Sequence, residues 1–102
     1  MPNCFTLTPK GEATPKNLAL IDDDMCSHFG VTPNPRTYFN GWFDSIGLRL
    51  AMGHSLAEIK AYYSSKIGER VEHDGFDIYE RLAAIAEYLE ERYTSDAFYE
   101  GW

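Results

Sequence analysis

The segment that follows Asp74-Gly75 constrains the fold most, because its apolar residues recur at helical spacing. They fall every three or four positions on one stripe: Ile78, Leu82, Ile85, Ala86 and Leu89. Charged residues occupy the other faces, chiefly Glu80, Glu87, Glu90, Glu91 and Arg92. This pattern is typical of an amphipathic helix with one buried face. A chain of 102 residues has room for one core, so the other segments must cover that face.

Three more helices are predicted upstream. Thr14-Pro15 is typical of a helix start, and Gly30 is placed to end the same helix. Asn34-Pro35 gives a second start, followed by a segment that is apolar over a wide arc: Phe39, Trp42, Phe43, Ile46, Leu50 and Ala51. Ser55 and Glu58 have the spacing of a capping box for a third helix. Its inward face carries Leu56, Ile59 and Tyr63.

The two ends of the chain lack helical spacing. Residues 4–8 alternate as a strand does, and Pro9 ends the alternation. We interpret residues 1–13 as an extended arm, and the sequence leaves open whether this arm pairs as a strand. Residues 94–102 form an aromatic tail. The predicted fold class is therefore mainly α: a compact bundle of about four helices with that arm and that tail, in a single helical domain over residues 1–102.

The net charge of −7 is concentrated in the last third of the chain. Residues 1–68 hold six acidic and six basic residues and are neutral. Residues 69–102 hold ten acidic residues against three arginines, and ten minus three is the whole excess of seven. An acidic surface repels phosphate groups and membrane faces and favours basic partners. We therefore expect neither a nucleic acid nor a membrane as a direct partner.

The stretch GHSLAEI, from Gly53 to Ile59, resembles the G-x-S-x-x-E-I turn of LuxR-type regulators. That resemblance implies a helix-turn-helix DNA-binding regulator, in which the turn joins two helices ahead of a recognition helix. The chain departs from the family after the turn, where residues 69–75 hold three acids and one arginine. Acids there would repel the DNA backbone. A DNA-binding surface would need a basic face, for which the chain offers Arg49, Lys60, Lys66 and Arg70.

Candidate catalytic and metal-binding residues are few. Cys26 and His28 lie two positions apart on a predicted helix, so they face different sides. The sequence contains no CxxC or HxxxH pair, the spacings typical of structural zinc sites. Residues 22–24 are three aspartates that point in directions about 100° apart on a helix. We predict no enzyme activity, no metal site and no cofactor.

The aromatic tail is the strongest candidate for a functional surface. Phe98, Tyr99 and Trp102 belong to the residue types that dominate interface hot spots. The tail either binds a partner or folds back and caps the core, and the sequence supports both interpretations. Acidic residues of the last helix would steer a basic partner towards these aromatics. The predicted partner-binding residues are therefore Phe98, Tyr99, Trp102, Glu87, Glu90 and Glu91.

The function predicted from these features is that of a small acidic protein–protein interaction module with a basic partner. By analogy, it is a phage-type inhibitor that occludes a basic surface of a nucleic-acid-handling protein. The alternatives are the helix-turn-helix regulator and a self-associating structural protein, a homodimer in which Trp102 docks on a second copy. Two cysteines are too few for a disulfide scaffold, and the N-terminus lacks signal-peptide features. The expected location is the cytoplasm.

Overall fold

A two-stranded antiparallel sheet joins the N-terminal and C-terminal parts of the chain. The computed structural model describes residues 4–30, 43–73, 75 and 77–98, apart from the side chains of Phe43 and Asp44. Strand β1 (Cys4–Pro9) pairs with strand β2 (Tyr93–Phe98). The register places Cys4 opposite Phe98 and Pro9 opposite Tyr93. Leu7 of β1 and Tyr93 of β2 are buried, so the sheet is part of the core.

The prediction of a helical bundle with an extended arm and an aromatic tail is therefore wrong. Residues 4–9 of the arm are paired, and residues 94–98 of the tail form most of β2. The pairing satisfies backbone groups that an isolated extended arm would leave to solvent. Local pattern could not predict it, because Thr8 and its partner Thr94 are 86 positions apart and Thr-Ser-Asp is a weak strand sequence. Residues 99–102 lie outside the described residues.

Four α-helices are present in the described part of the chain. They are α1 (Leu18–Phe29), α2 (Leu48–Ala51), α3 (Leu56–Ser64) and α4 (Ile78–Arg92), and a π-helical turn (Phe43–Gly47) leads into α2. The predicted inward faces of α3 and α4 are confirmed, with Ile59, Ile85 and Leu89 fully buried. The predicted start of the second helix, from Asn34-Pro35 through Phe39 to Trp42, lies outside the described residues.

Local side-chain contacts explain where the helices begin and end. Asn17 caps α1, because its side-chain oxygen accepts from the Ala19 amide at 2.9 Å. The predicted start at Thr14-Pro15 is wrong, since the Lys16 amide donates to the Leu7 carbonyl of β1 and holds the chain beside the strand. Gly30 ends α1 in the left-handed conformation, as predicted, with φ of 71°.

The connection between α3 and α4 is held by one carboxylate. Asp77 caps α4 by accepting from the Glu80 amide at 3.0 Å. Its second oxygen accepts from the Gly68 amide at 2.6 Å. The predicted start of this helix at Asp74-Gly75 is therefore three residues early, and Asp74 lies outside the described residues. By bonding both ends of the connection, Asp77 fixes the path along which α4 returns against α3.

Helices α3 and α4 pack together as the centre of the helical layer. The Tyr63 ring of α3 stacks on the Tyr79 ring of α4 with centroids 6.1 Å apart. The end of α1 packs on α4, where His28 and Phe29 contact Tyr88 at centroid distances of 4.8 and 5.8 Å. Helix α2 contacts both strands of the sheet. The sheet and α2 therefore pack against each other.

Candidate functional site

The predicted tail residues are divided by the structure. Phe98 ends β2 opposite Cys4, with 42% of its surface exposed. Tyr99 and Trp102 lie outside the described residues. Within the described chain, the tail is therefore a strand of the core sheet, and only its last described residue presents an aromatic ring to solvent.

The predicted glutamates form one surface on α4. Glu87, Glu90 and Glu91 are three and four positions apart, which places them on the same side of a helix. Glu87 and Glu91 are exposed and Glu90 is half-buried. The opposite side of α4 carries the buried Ile85 and Leu89, so the helix cannot rotate these carboxylates away from solvent. We call Glu87, Glu90 and Glu91 the acidic surface.

One lysine of α3 reaches the acidic surface. The ammonium of Lys60 lies 3.9 Å from Glu87 Oε1 and 3.8 Å from Glu90 Oε2. Both distances exceed hydrogen-bond range, and Glu90 Oε2 is buried without a hydrogen-bond partner in the described part of the molecule. Glu91 lies 3.4 Å from Arg92 of the same helix. These pairs are largely exposed, so they are weak and easily screened by salt.

On the other side of α3, an arginine of α2 stacks against the tyrosine rings of α3. The Arg49 guanidinium of α2 lies 3.9 Å from the centroid of the Tyr62 ring. Its Nε donates a hydrogen bond to the Tyr63 hydroxyl at 3.3 Å. The ammonium of Lys66 lies 5.1 Å from the same Tyr62 centroid. Ring faces attract cations at these distances, and we call Arg49, Tyr62 and Lys66 the Arg49 surface.

Apolar side chains and two grooves border the Arg49 surface. Leu48 and Met52 of the α2 region are 58% and 45% exposed. A groove of about 200 Å³ is lined by Arg49, His54, Glu58, Ile59 and Tyr62. A second groove of about 320 Å³ is lined by Ser45, Leu48, Arg49, Met52 and Tyr63. Arg49 therefore lies between two concave regions whose walls combine apolar and polar side chains, as ligand-binding sites do.

The predicted capping box lies at the edge of the first groove. The Glu58 amide donates to the Ser55 hydroxyl at 3.1 Å, which caps α3 as predicted. The Glu58 carboxylate is 3.4 Å from His54 Nδ1 and accepts from the Ser55 hydroxyl at 3.1 Å. The contact with His54, followed by those with Ser55, lowers the pKa of the Glu58 carboxyl. The stretch from Gly53 to Ile59 thus forms a capped helical turn.

Three of the four cations named for a DNA-binding face lie in two different surroundings. Lys60 is directed towards the α4 carboxylates, whereas Arg49 and Lys66 lie over Tyr62. Lys60 and Tyr62 are two positions apart, about 200° around the helix. Over residues 65–73, which follow α3 and are all described, the chain forms turns, bends and one β-bridge residue. A second helix directly after α3, where a recognition helix would lie, is not present over those residues.

The cysteine considered as a nucleophile is enclosed in the core. Cys26 is buried, and burial, followed by the charges of Asp22 and Asp23, raises the pKa of its thiol. Such a thiol keeps its proton at neutral pH and is a poor nucleophile. The neighbouring His28 ring packs against Tyr88 at 4.8 Å. Among the residues that the structure describes, no three His, Cys, Asp or Glu side chains group closely enough to hold a metal ion.

Comparisons with protein-family models, with curated proteins and with solved structures find no match to this chain. In the described ranges, no helix combines the length and the apolar character that crossing a membrane requires. The two surfaces beside α3 are therefore the candidate functional sites of this chain. Sequence reasoning identified the acidic surface from its charge. It missed the Arg49 surface, because the stacking of Arg49 on Tyr62 joins two helices and leaves no periodic signal.

Proposed function

We propose that this chain is a small acidic protein–protein interaction module that binds a basic surface of another protein through Glu87, Glu90 and Glu91. One observation carries the proposal: three carboxylates share one side of α4, whose opposite side is locked into the core. Like charges that are clustered on one side of a domain create a stronger local potential for a complementary surface than the same charges scattered over it.

The small number of cations near these carboxylates supports the same proposal. Lys60 is the one residue of another helix whose ammonium comes within 4.0 Å of these carboxylates in the described chain. It lies too far away to donate a hydrogen bond to either. Glu87 and Glu91 keep most of their accepting capacity, whereas the buried Glu90 Oε2 adds charge but lies out of a partner's reach. Arginine or lysine side chains of a partner would supply the missing donors in charge-assisted hydrogen bonds.

The partner class follows from the sign of the charge. Proteins that handle nucleic acids have basic surfaces, and a small acidic domain of this kind would occlude such a surface by occupying it. By analogy, this is how phage-type inhibitors act. We place the action in the cytoplasm, because the buried Cys26 is a free thiol and cytoplasmic proteins keep cysteines reduced.

A pull-down from host lysate with charge-reversed variants tests the proposal. The test variant is E87K/E90K/E91K, and the matched control is E12K/D23K/E72K, which makes the same change in net charge at exposed residues of other elements. Each bait is used with and without nuclease. A chain shortened to end at Tyr93 is unsuitable, since it removes most of β2 and would lose binding through unfolding.

The expected result is a protein partner that survives nuclease treatment, is captured by wild type and control, and is lost with E87K/E90K/E91K. Equal capture by both variants would contradict the assignment to the acidic surface. Capture that disappears with nuclease would favour a nucleic-acid partner. Light scattering on the bait alone checks self-association, which would appear as a mass that rises with concentration.

A further inference from the structure

We infer that the Arg49 surface is a second binding site, which takes an acidic, apolar peptide segment of a partner protein. A carboxylate of the peptide would bind Arg49 and Lys66, and a neighbouring apolar side chain would enter a groove beside Arg49. This inference does not depend on the acidic surface, because different residues of different charge carry it.

The hydrogen-bond donors of Arg49 provide the first step. A guanidinium has five N–H donors in one plane. The Nε donor is used on the Tyr63 hydroxyl, and the Tyr62 ring covers one face of the plane at 3.9 Å. The side-chain hydrogen bonds of Arg49 in the described residues go to the two tyrosines, and the donors that these bonds do not use suit a contact with a carboxylate at the edge of the plane. No carboxylate of the described residues lies within 4.0 Å of Arg49.

A second cation at the same ring strengthens the site. Lys66 lies over Tyr62 at 5.1 Å and near Tyr79 at 5.9 Å. It too has no carboxylate within 4.0 Å in the described part of the molecule. The chain has seven more acidic than basic residues, yet this pair of cations faces rings instead of acids. Glu58, an acid that lines the adjoining groove, is engaged by His54 and Ser55. A local positive site in an acidic protein is complementary to a negatively charged ligand.

The apolar surroundings decide between a peptide and a nucleic acid. Leu48 and Met52 are exposed beside Arg49, and Ile59 lines the smaller groove. These apolar residues would contact an apolar side chain that follows an acidic residue in the peptide. A nucleic acid would bring a chain of phosphates towards a protein of net charge −7, and long-range repulsion would oppose it.

Fluorescence anisotropy with defined probes tests the inference. The probe is a short fluorescein-labelled peptide that alternates Asp and Leu, and its control alternates Asn and Leu. A labelled single-stranded oligonucleotide tests the phosphate alternative. The protein variants are R49Q, K66Q and the charge-matched K10Q, which alters an exposed lysine of the turn after β1. Circular dichroism confirms that each variant is folded.

The expected result is binding of the Asp–Leu peptide that weakens about tenfold in R49Q, the size of one charge-assisted hydrogen bond. K66Q should weaken binding several-fold, K10Q should match wild type, and the Asn–Leu peptide should not bind. A second measurement needs no variant: the NMR signal of Arg49 Nε–Hε in wild type should shift when the Asp–Leu peptide is added. Absence of peptide binding, equal loss in K10Q, or tighter binding of the oligonucleotide would overturn the inference.

Discussion

The two sides of α3 show how one small domain presents opposite charges in different ways. On one side, Lys60 faces Glu87 and Glu90 at 3.9 and 3.8 Å, with the three side chains between 39% and 54% exposed. On the other side, Arg49 is stacked on Tyr62 and hydrogen-bonded to the buried Tyr63. The first arrangement is loose and electrostatic. The second is fixed by packing.

This difference indicates two modes of recognition. Exposed carboxylates attract a partner at long range and tolerate varied geometry, but salt screens them. A guanidinium fixed by a ring and a hydrogen bond loses little freedom when it binds, so it discriminates by shape and by donor geometry. Substitutions on the two sides of α3 should therefore have different effects on stability and on binding.

The first prediction concerns the packing of α2, the helix that carries Arg49. Leu50 is 1% exposed and Leu48 is 58% exposed, on the same short helix α2. Leu50→Ala should lower the free energy of unfolding by about 2–5 kcal/mol, because it leaves a cavity in the core. Leu48→Ala should change it by less than about 0.5 kcal/mol. Urea denaturation measures both, and similar losses would show that Leu48 is not a surface residue.

The second prediction concerns the hydrogen bond that fixes Arg49. Tyr63→Phe removes the acceptor of Arg49 Nε and should lower the free energy of unfolding by about 1 kcal/mol. Tyr79→Phe is the matched control, since Tyr79 belongs to the same ring stack and its hydroxyl makes no hydrogen bond to the other described residues. An equal loss in the control would mean that Tyr63 contributes through packing alone.

The third prediction concerns the loose side of α3. Lys60→Gln removes the cation that faces Glu87 and Glu90. The free energy of unfolding should change by less than about 0.5 kcal/mol, because exposed ion pairs contribute little. Binding of a basic partner should become tighter, since a competing positive charge is gone. Thermal melting and titration calorimetry check the two parts, and weaker binding would mean that Lys60 belongs to the interface.

The smallest effect is a pH dependence at the capping box. The pKa of the Glu58 carboxyl is lowered from its usual value of 4.5 by His54 and by Ser55. A carboxyl with a lowered pKa in the folded chain stabilises the fold above its unfolded value and loses that contribution as the pH falls through the folded value. Stability should therefore fall more steeply below about pH 4.5 in wild type than in Glu58→Gln.

Urea midpoints measured across the acidic range test this prediction. Ser55→Ala serves as the companion variant, because it removes one of the contacts that lower the pKa of Glu58. Its pH dependence should lie between those of wild type and Glu58→Gln. Identical slopes in all three proteins would show that the capping carboxylate makes no net contribution in solution.

The sequence predicted features that depend on near neighbours. The stripe of α4, the inward face of α3, the Ser55 cap and the Gly30 stop are confirmed, because each is determined by residues within a few positions of one another. The sheet was not predicted, since Thr8 and Thr94 meet across 86 positions. The start of α1 was misplaced for a related reason: Lys16 bonds to Leu7 of β1, a contact that composition around Thr14-Pro15 cannot reveal.

The candidate site divides in the same way. The glutamates of the acidic surface were named from the sequence, because the excess of acidic residues in the last third can be counted without knowing the fold. The Arg49 surface depends on where α2 places one guanidinium relative to a ring of α3. Tyr62 lies next to the inward-facing Tyr63 and off the apolar stripe, so the available signal was an aromatic ring expected on the outer side of α3. Without the fold, that signal could not be joined to Arg49.

The most direct test of the account is the salt dependence of partner binding. The dissociation constant of the captured partner would be measured by titration calorimetry over a range of salt concentrations, for wild type, E87K/E90K/E91K and E12K/D23K/E72K. We expect affinity to fall steeply with salt for wild type and for the control, and the α4 variant to bind weakly with little salt dependence. The same salt dependence in all three proteins would contradict a binding role for the acidic surface.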